Sequence, residues 1–97
     1  MTASLSTHVL DTGQGRPAAG VPVELWWEGE RIASSVTDAD GRIAELAAGL
    51  DPGSYRLVFR PPSPFFTGVE LELRLEEGHY HVPLLVSPYS CASYRGS

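Results

Sequence analysis

The stretch VELELRLEE constrains this chain more than any other. Val69, Leu71, Leu73 and Leu75 alternate with Glu70, Glu72, Arg74 and Glu76 at a strict period of two, which is a half-buried antiparallel strand and cannot be one face of a helix. The same alternation recurs. VPVELWW puts Val21, Val23, Leu25 and Trp27 on one face, and SYRLVFR puts Tyr55, Leu57 and Phe59 on one face with Arg56 and Arg60 opposite. In HYHVPLLV, Tyr80, Val82, Leu84 and Val86 share a face while His79, His81, Pro83 and Leu85 point the other way, with Pro83 implying an edge or a bulge. LSTHVL forms a shorter strand near the start. Gly- and Pro-rich turns separate these runs: GQGRPAAG, EGE, DADG, DPGS and PPSPFFTG. RIAELAAGL is the one helical candidate, short and ending in Gly49. About six to eight short strands at this spacing predict an all-β fold, a two-sheet antiparallel β-sandwich.

A chain of 97 residues has room for one domain over residues 1–97. Its net charge of -5 argues against nucleic acid or an anionic membrane as partner, because phosphates are neutralised by clustered Lys and Arg. All seven basic residues are Arg, which excludes a Schiff-base lysine. No apolar run approaches the roughly 20 residues that span a bilayer. MTASLSTHVLD lacks a secretory pattern and the single Cys91 cannot close an intrachain disulfide, so the expected location is the cytoplasm.

Few side chains here carry chemistry. The three histidines are His8, His79 and His81, and the last two, being two apart on a strand, project from one face. Three readings stay open: a zinc site, acid–base work without metal, or a chance pair on a solvated face. Asp38, Asp40, Gly41 and Glu45 echo part of a calcium loop but lack its span and ligand count, so they read as a turn. Gly13-Gln14-Gly15 lacks the strand and helix of a nucleotide fingerprint. No G-x-S-x-G elbow occurs. Cys91 is either a nucleophile beside a histidine or a small packed residue. Trp26 and Trp27 lie on opposite strand faces, one for the core and one for a surface or interface.

Taken together, LSTHVLDT, PAAGVPVEL, TDADGRI, HYHVPLLVSPY and the final YRGS resemble the purine-catabolic hydrolases of the transthyretin-like family, across Leu5 to Ser97. That resemblance implies a transthyretin (prealbumin)-like sandwich of eight strands, a homotetramer built as a dimer of dimers, and active sites in a channel between dimers. It implies hydrolysis of the ring amide of 5-hydroxyisourate to 2-oxo-4-hydroxy-4-carboxy-5-ureidoimidazoline, with no metal and no cofactor. Carried over residue by residue, the catalytic set falls on His8, Arg42, His81 and Ser97. Substrate binding falls on His8, Arg42, Tyr94, Arg95 and Gly96. These residue types suit amide hydrolysis, since an imidazole near neutral pKa activates water and a planar guanidinium stabilises oxyanion charge. His79 stands as a neighbour of His81, and the resemblance sets the zinc reading aside.

Two segments depart from the family pattern. PPSPFFTG stands where members usually carry a short helix and a longer loop, so the helix is expected to be lost and Phe65 or Phe66 exposed. Ser90-Cys91-Ala92-Ser93 replaces the usual G-Y-S-T, at a strand that serves the family's interface. The rival reading is a non-catalytic transthyretin-like small-molecule binding protein, and a third is a structural or interaction domain. The polar set of His8, Arg42, His81 and YRGS favours the hydrolase.

Overall fold

The alternating residues converge on one apolar layer. In the computed structural model, which describes residues 1–97, Leu5, Val9, Leu84 and Val86 from one sheet face Val23, Leu25, Leu57, Phe59 and Leu75 from the other, all essentially fully buried. Nine strands and no helix carry them: β1 Ala3–Asp11, β2 Arg16–Pro17, β3 Pro22–Trp27, β4 Glu30–Val36, β5 Arg42–Leu50, β6 Gly53–Phe59, β7 Val69–Leu75, β8 Gly78–Ser87 and β9 Ser90–Ser93. One sheet has the order β4-β3-β6-β7; the other runs β2-β1-β8-β9, with β5 also paired to β1.

The two-sheet antiparallel sandwich holds with one exception, since β1 and β8 run parallel, from Ala3↔Gly78 to Asp11↔Val86. They come from opposite ends of the chain, and no tight turn joins them to force the opposite sense.

RIAELAAGL is not a helix but β5. Its buried positions, Ile43, Leu46 and Leu50, have helix-like spacing because of bulges. Ala3, Leu5 and Thr7 of β1 pair with Leu50, Ala47 and Ile43, so β5 spends extra residues at each step and the inward positions drift off a period of two. Gly49, at φ +66°, supplies one of these irregular positions.

Local turn chemistry is equally specific. The β3–β4 hairpin turns on Glu28 and Gly29, both at positive φ (48° and 79°), as a two-residue turn compatible with strand twist requires. Thr37 ties the next loop down: its hydroxyl accepts from the Val21 N–H at 2.9 Å and donates to the Ala18 carbonyl at 2.7 Å. Neither tryptophan joins the core. Trp27 stands at the hairpin end of β3, 41% exposed, and Trp26 lies half-buried on the outer face beneath the Arg56 guanidinium.

The connection from β6 to β7 contains no helix. Ser63 organises it instead, accepting from the N–H groups of Phe65 and Phe66 and donating to the Pro88 carbonyl. Phe65 is exposed and Phe66 half-buried, with rings edge-to-face at 4.9 Å.

Candidate active site

The outer face of the five-stranded sheet collects the polar residues. Because Leu5, Thr7 and Val9 point into the core, alternation sends Ser4, Ser6 and His8 outward from β1. Parallel pairing sets Ser4 beside His79, Ser6 beside His81 and His8 beside Pro83. On the other flank, His8 pairs directly with Arg42 of β5. Residues 8, 42 and 81 thus come together on one sheet face although they are scattered in sequence.

Arg42 is positioned by a closed turn. The Asp38 carboxylate accepts from the N–H groups of Asp40 and Arg42, both at 2.9 Å, and the Asp38 carbonyl accepts from the Gly41 N–H at 2.9 Å. These bonds, the one to the Arg42 N–H first, hold the Asp38 carboxyl below its ordinary range. Gly41 sits at φ +75°, where an added Cβ would collide with the Val9 carbonyl oxygen. Asp38, Asp40 and Gly41 are therefore the turn that presents Arg42.

The two histidines expose different nitrogens. Nε2 of His8 lies 2.9 Å from the Asp40 carbonyl, which can only accept. Nε2 therefore carries the hydrogen, and Nδ1 is the free nitrogen of the neutral ring. His81 is the reverse, with Nδ1 engaged by the Ser6 hydroxyl at 2.8 Å, leaving Nε2 without a partner inside the chain. Burial, then the neighbouring His8, His79 and Arg42, hold His81 below the ordinary imidazole range. His81 is consequently neutral, and competent as a base, at neutral pH.

The final residues lie along the free edge of β8. Gly96 donates its N–H to the His81 carbonyl at 2.6 Å, and the His81 N–H donates to the main-chain oxygen of Ser97 at 3.0 Å. Arg95 stacks its guanidinium 4.2 Å from the centre of the Tyr80 ring and reaches the His79 carbonyl at 3.5 Å. Tyr94 is exposed beside them. Pro83 explains the break between β9 and this tail. The groups of His81 face the tail, so by alternation the missing N–H of Pro83 faces the same edge, where β9 ends at Ser93 opposite Leu84. The Ser93 hydroxyl donates to the Pro83 carbonyl there at 2.8 Å.

The remaining candidates fall away from chemistry. His8, His79 and His81 do not form a metal-holding group; both nitrogens of His79 are taken up by Ser4 and Ser6. Cys91 packs against the core, and burial pushes its thiol up, away from a nucleophilic thiolate. Two residues were missed from sequence, Ser4 and Ser6. The signal available was their parity, since they stand four and two residues before His8 on the same side of β1.

Residues 5–96 match the model of the HIUase/Transthyretin family. The chain is similar to the 5-hydroxyisourate hydrolase of Caulobacter vibrioides, 44% identical, with 98% of this chain and 99% of that protein covered. It is 38% identical to the Arabidopsis thaliana uric acid degradation bifunctional protein TTL, of which it spans 37%. Among solved structures, the Klebsiella pneumoniae 5-hydroxyisourate hydrolase superposes with a TM-score of 0.90 at 40% identity, covering 98% of this chain and 99% of that one. Sea bream transthyretin in complex with thyroxine superposes at 0.82 with 30% identity, covering 94% and 92%.

Proposed function

This chain belongs to the HIUase/Transthyretin family, and on that premise we propose that it hydrolyses 5-hydroxyisourate in urate degradation. The observation that carries the reading is the complementary pair of imidazoles beside a guanidinium on one sheet face: His8 with Nδ1 free, His81 with Nε2 free, and Arg42 next to His8. In this mechanism Nε2 of His81 takes a proton from water as the water oxygen bonds to the ring amide carbon. Arg42 holds the carbonyl oxygen as it becomes an oxyanion. His8 accepts a hydrogen bond from a ring N–H through Nδ1. The C–N bond then breaks, and the proton on His81 passes to the departing ring nitrogen, so the base returns to its starting form. Tyr94, Arg95 and Gly96 bound the substrate, and the Ser97 hydroxyl orients the water.

The same reading takes residues 1–97 as one domain acting in the cytoplasm, as a homotetramer whose second dimer covers this open sheet face and turns it into a channel. It uses no metal. A thyroxine-type carrier is the competing reading, supported by the likeness to sea bream transthyretin, but paired imidazoles and a guanidinium suit an amide substrate better than an apolar ligand.

The test is the decay of 5-hydroxyisourate, generated in place by urate oxidase and followed by ultraviolet absorbance. The parent should accelerate it. His8→Ala and His81→Ala should each lose about 10²- to 10⁴-fold, and Arg42→Ala about 10²- to 10³-fold. A parent no faster than buffer hands the assignment to the carrier reading. Loss of activity with a chelator would instead indicate a metallohydrolase. Sedimentation of the protein as a monomer would sink the channel between dimers.

A further inference from the structure

Beneath His81 lies an uninterrupted chain of hydrogen bonds. The Ser4 hydroxyl is 2.7 Å from Nδ1 of His79, the Ser6 hydroxyl is 2.8 Å from Nε2 of His79, and the same Ser6 hydroxyl is 2.8 Å from Nδ1 of His81. Ser6 is 7% exposed, a hydroxyl enclosed on the outer face between two imidazoles. No buried side-chain polar atom in the molecule lacks a partner. Every nitrogen of the two rings is thus accounted for except Nε2 of His81.

We infer that Ser4, His79 and Ser6 form a positioning relay that fixes the His81 ring and lets Nε2 serve alternately as base and as acid. This deepens the hydrolase assignment and rests on it. A serine hydroxyl has one hydrogen to donate and lone pairs to accept, so the chain closes in two polarities. In the first, His81 Nδ1–H donates to Ser6, the Ser6 hydroxyl donates to His79 Nε2, and His79 Nδ1–H donates to Ser4; Nε2 of His81 is bare and takes a proton from water. In the second, the Ser4 hydroxyl donates to His79 Nδ1, His79 Nε2–H donates to Ser6, and Ser6 donates to His81 Nδ1; Nε2 of His81 then carries hydrogen and can give it up.

Conversion is proton-balanced. One proton enters at Nε2 of His81, one shifts along each bond from His81 to Ser6, from Ser6 to His79 and from His79 to Ser4, and one leaves the Ser4 hydroxyl for solvent. When Nε2 gives its hydrogen to the departing ring nitrogen, each shift reverses and Ser4 takes one proton back from solvent, so the ring stays neutral throughout. His79 is exposed and Ser4 half-buried, which gives that proton an exit to solvent. The charged groups that act on His81 are His8, His79 and Arg42, each of which disfavours an imidazolium there, and the main-chain oxygen of Ser97 accepts from its backbone N–H at 3.0 Å. A relay that keeps the ring neutral fits those surroundings.

Ser6→Ala, Ser6→Thr and His79→Asn test the relay by two independent readouts. With 5-hydroxyisourate, Ser6→Ala should lower kcat about 10- to 100-fold while KM stays within about twofold. Its acid limb should move up in pH because water then reaches Nδ1. Ser6→Thr, which keeps the hydroxyl, should recover most of the rate, and His79→Asn should fall between. Parental kcat and pH profile in both Ser6→Ala and His79→Asn would overturn the relay. Nitrogen-15 NMR of the histidine rings supplies the second readout, independent of turnover. In the parent, His81 should show a protected hydrogen-bonded Nδ1, and Ser6→Ala should lose it. A His81 spectrum unchanged by Ser6→Ala overturns the relay even if the parent proves inactive, whereas an inactive parent with the expected spectra overturns only the hydrolase assignment.

Discussion

Gly96 and His81 are in contact through both backbone and side chain: the Gly96 N–H is bonded to the His81 carbonyl at 2.6 Å, and a Cβ added at Gly96 would stand 2.7 Å from the His81 ring carbon Cδ2. Real Cβ atoms do not come so close, so either the ring turns or the tail leaves the edge of β8. Gly96→Ala should therefore damage turnover while leaving the sandwich intact. The expected result is a loss in kcat of about tenfold or more with a melting temperature within a few degrees of the parent. An active Gly96→Ala protein would mean that the tail does not fix the ring.

Removing residues 94–97 is the coarser version of the same experiment. The tail contributes no residue to the apolar core, so circular dichroism should report a folded sandwich. Turnover should fall sharply, because the edge of β8 beside His81 is left without its partner. Full activity in the truncated chain would return the tail to a passive role.

The lowered His81 pKa fixes the sign of two pH dependences. The base is needed neutral, and the folded state holds it neutral to a pH below the ordinary imidazole value of about 6.5. The rate should thus be sustained into mildly acidic solution and fall only below that value. Stability moves in the same sense. Above about pH 6.5 the ring is neutral folded and unfolded alike; as the pH falls past it the unfolded chain binds the proton first, so stability declines until the folded ring also protonates. Denaturant midpoints measured from pH 8 down to 5 would check this, and a His81→Asn variant should lose that part of the slope.

Gly41→Ala strikes the other side of the site. An alanine at φ +75° adopts a costly left-handed conformation, worth about 1–2 kcal/mol, and its methyl meets the Val9 carbonyl. Thermal unfolding should move down by roughly 10 °C. Because Gly41 stands between Asp40, which bonds His8, and Arg42, activity should fall further than the change in stability explains. A variant with parental melting and parental turnover would refute this account of the turn.

The strands were legible where one side faced water and the other the core, as in Val69 to Leu75, whose alternation became β7 without correction. β5 was not legible, because its bulges imprint an i, i+3, i+4, i+7 spacing on Ile43, Leu46, Ala47 and Leu50 that imitates a helix face. Trp27 kept the parity of Leu25 but lies at the strand's hairpin end, and parity alone does not tell how far along a strand the opposite sheet extends. His8, Arg42 and His81 could be named from their motifs, whereas Ser4 and Ser6 could not. Their significance depends on β1 running parallel to β8 in one register, and register between segments some 75 residues apart is not encoded in either segment alone.

That parallel pairing also sets when the site can exist during synthesis. β1 precedes all four strands of the other sheet, whereas its partner β8 and the tail on the edge of β8 follow them. Until then the β1 edge that will bond β8 is unpaired, and Ser4 and Ser6 have no imidazoles to meet. Long-range pairing of this kind is slow and leaves edges open meanwhile. The chain therefore assembles the sheet face of His8, Arg42 and His81 in the same event that completes its fold, and a nascent chain stalled before Gly78 has neither.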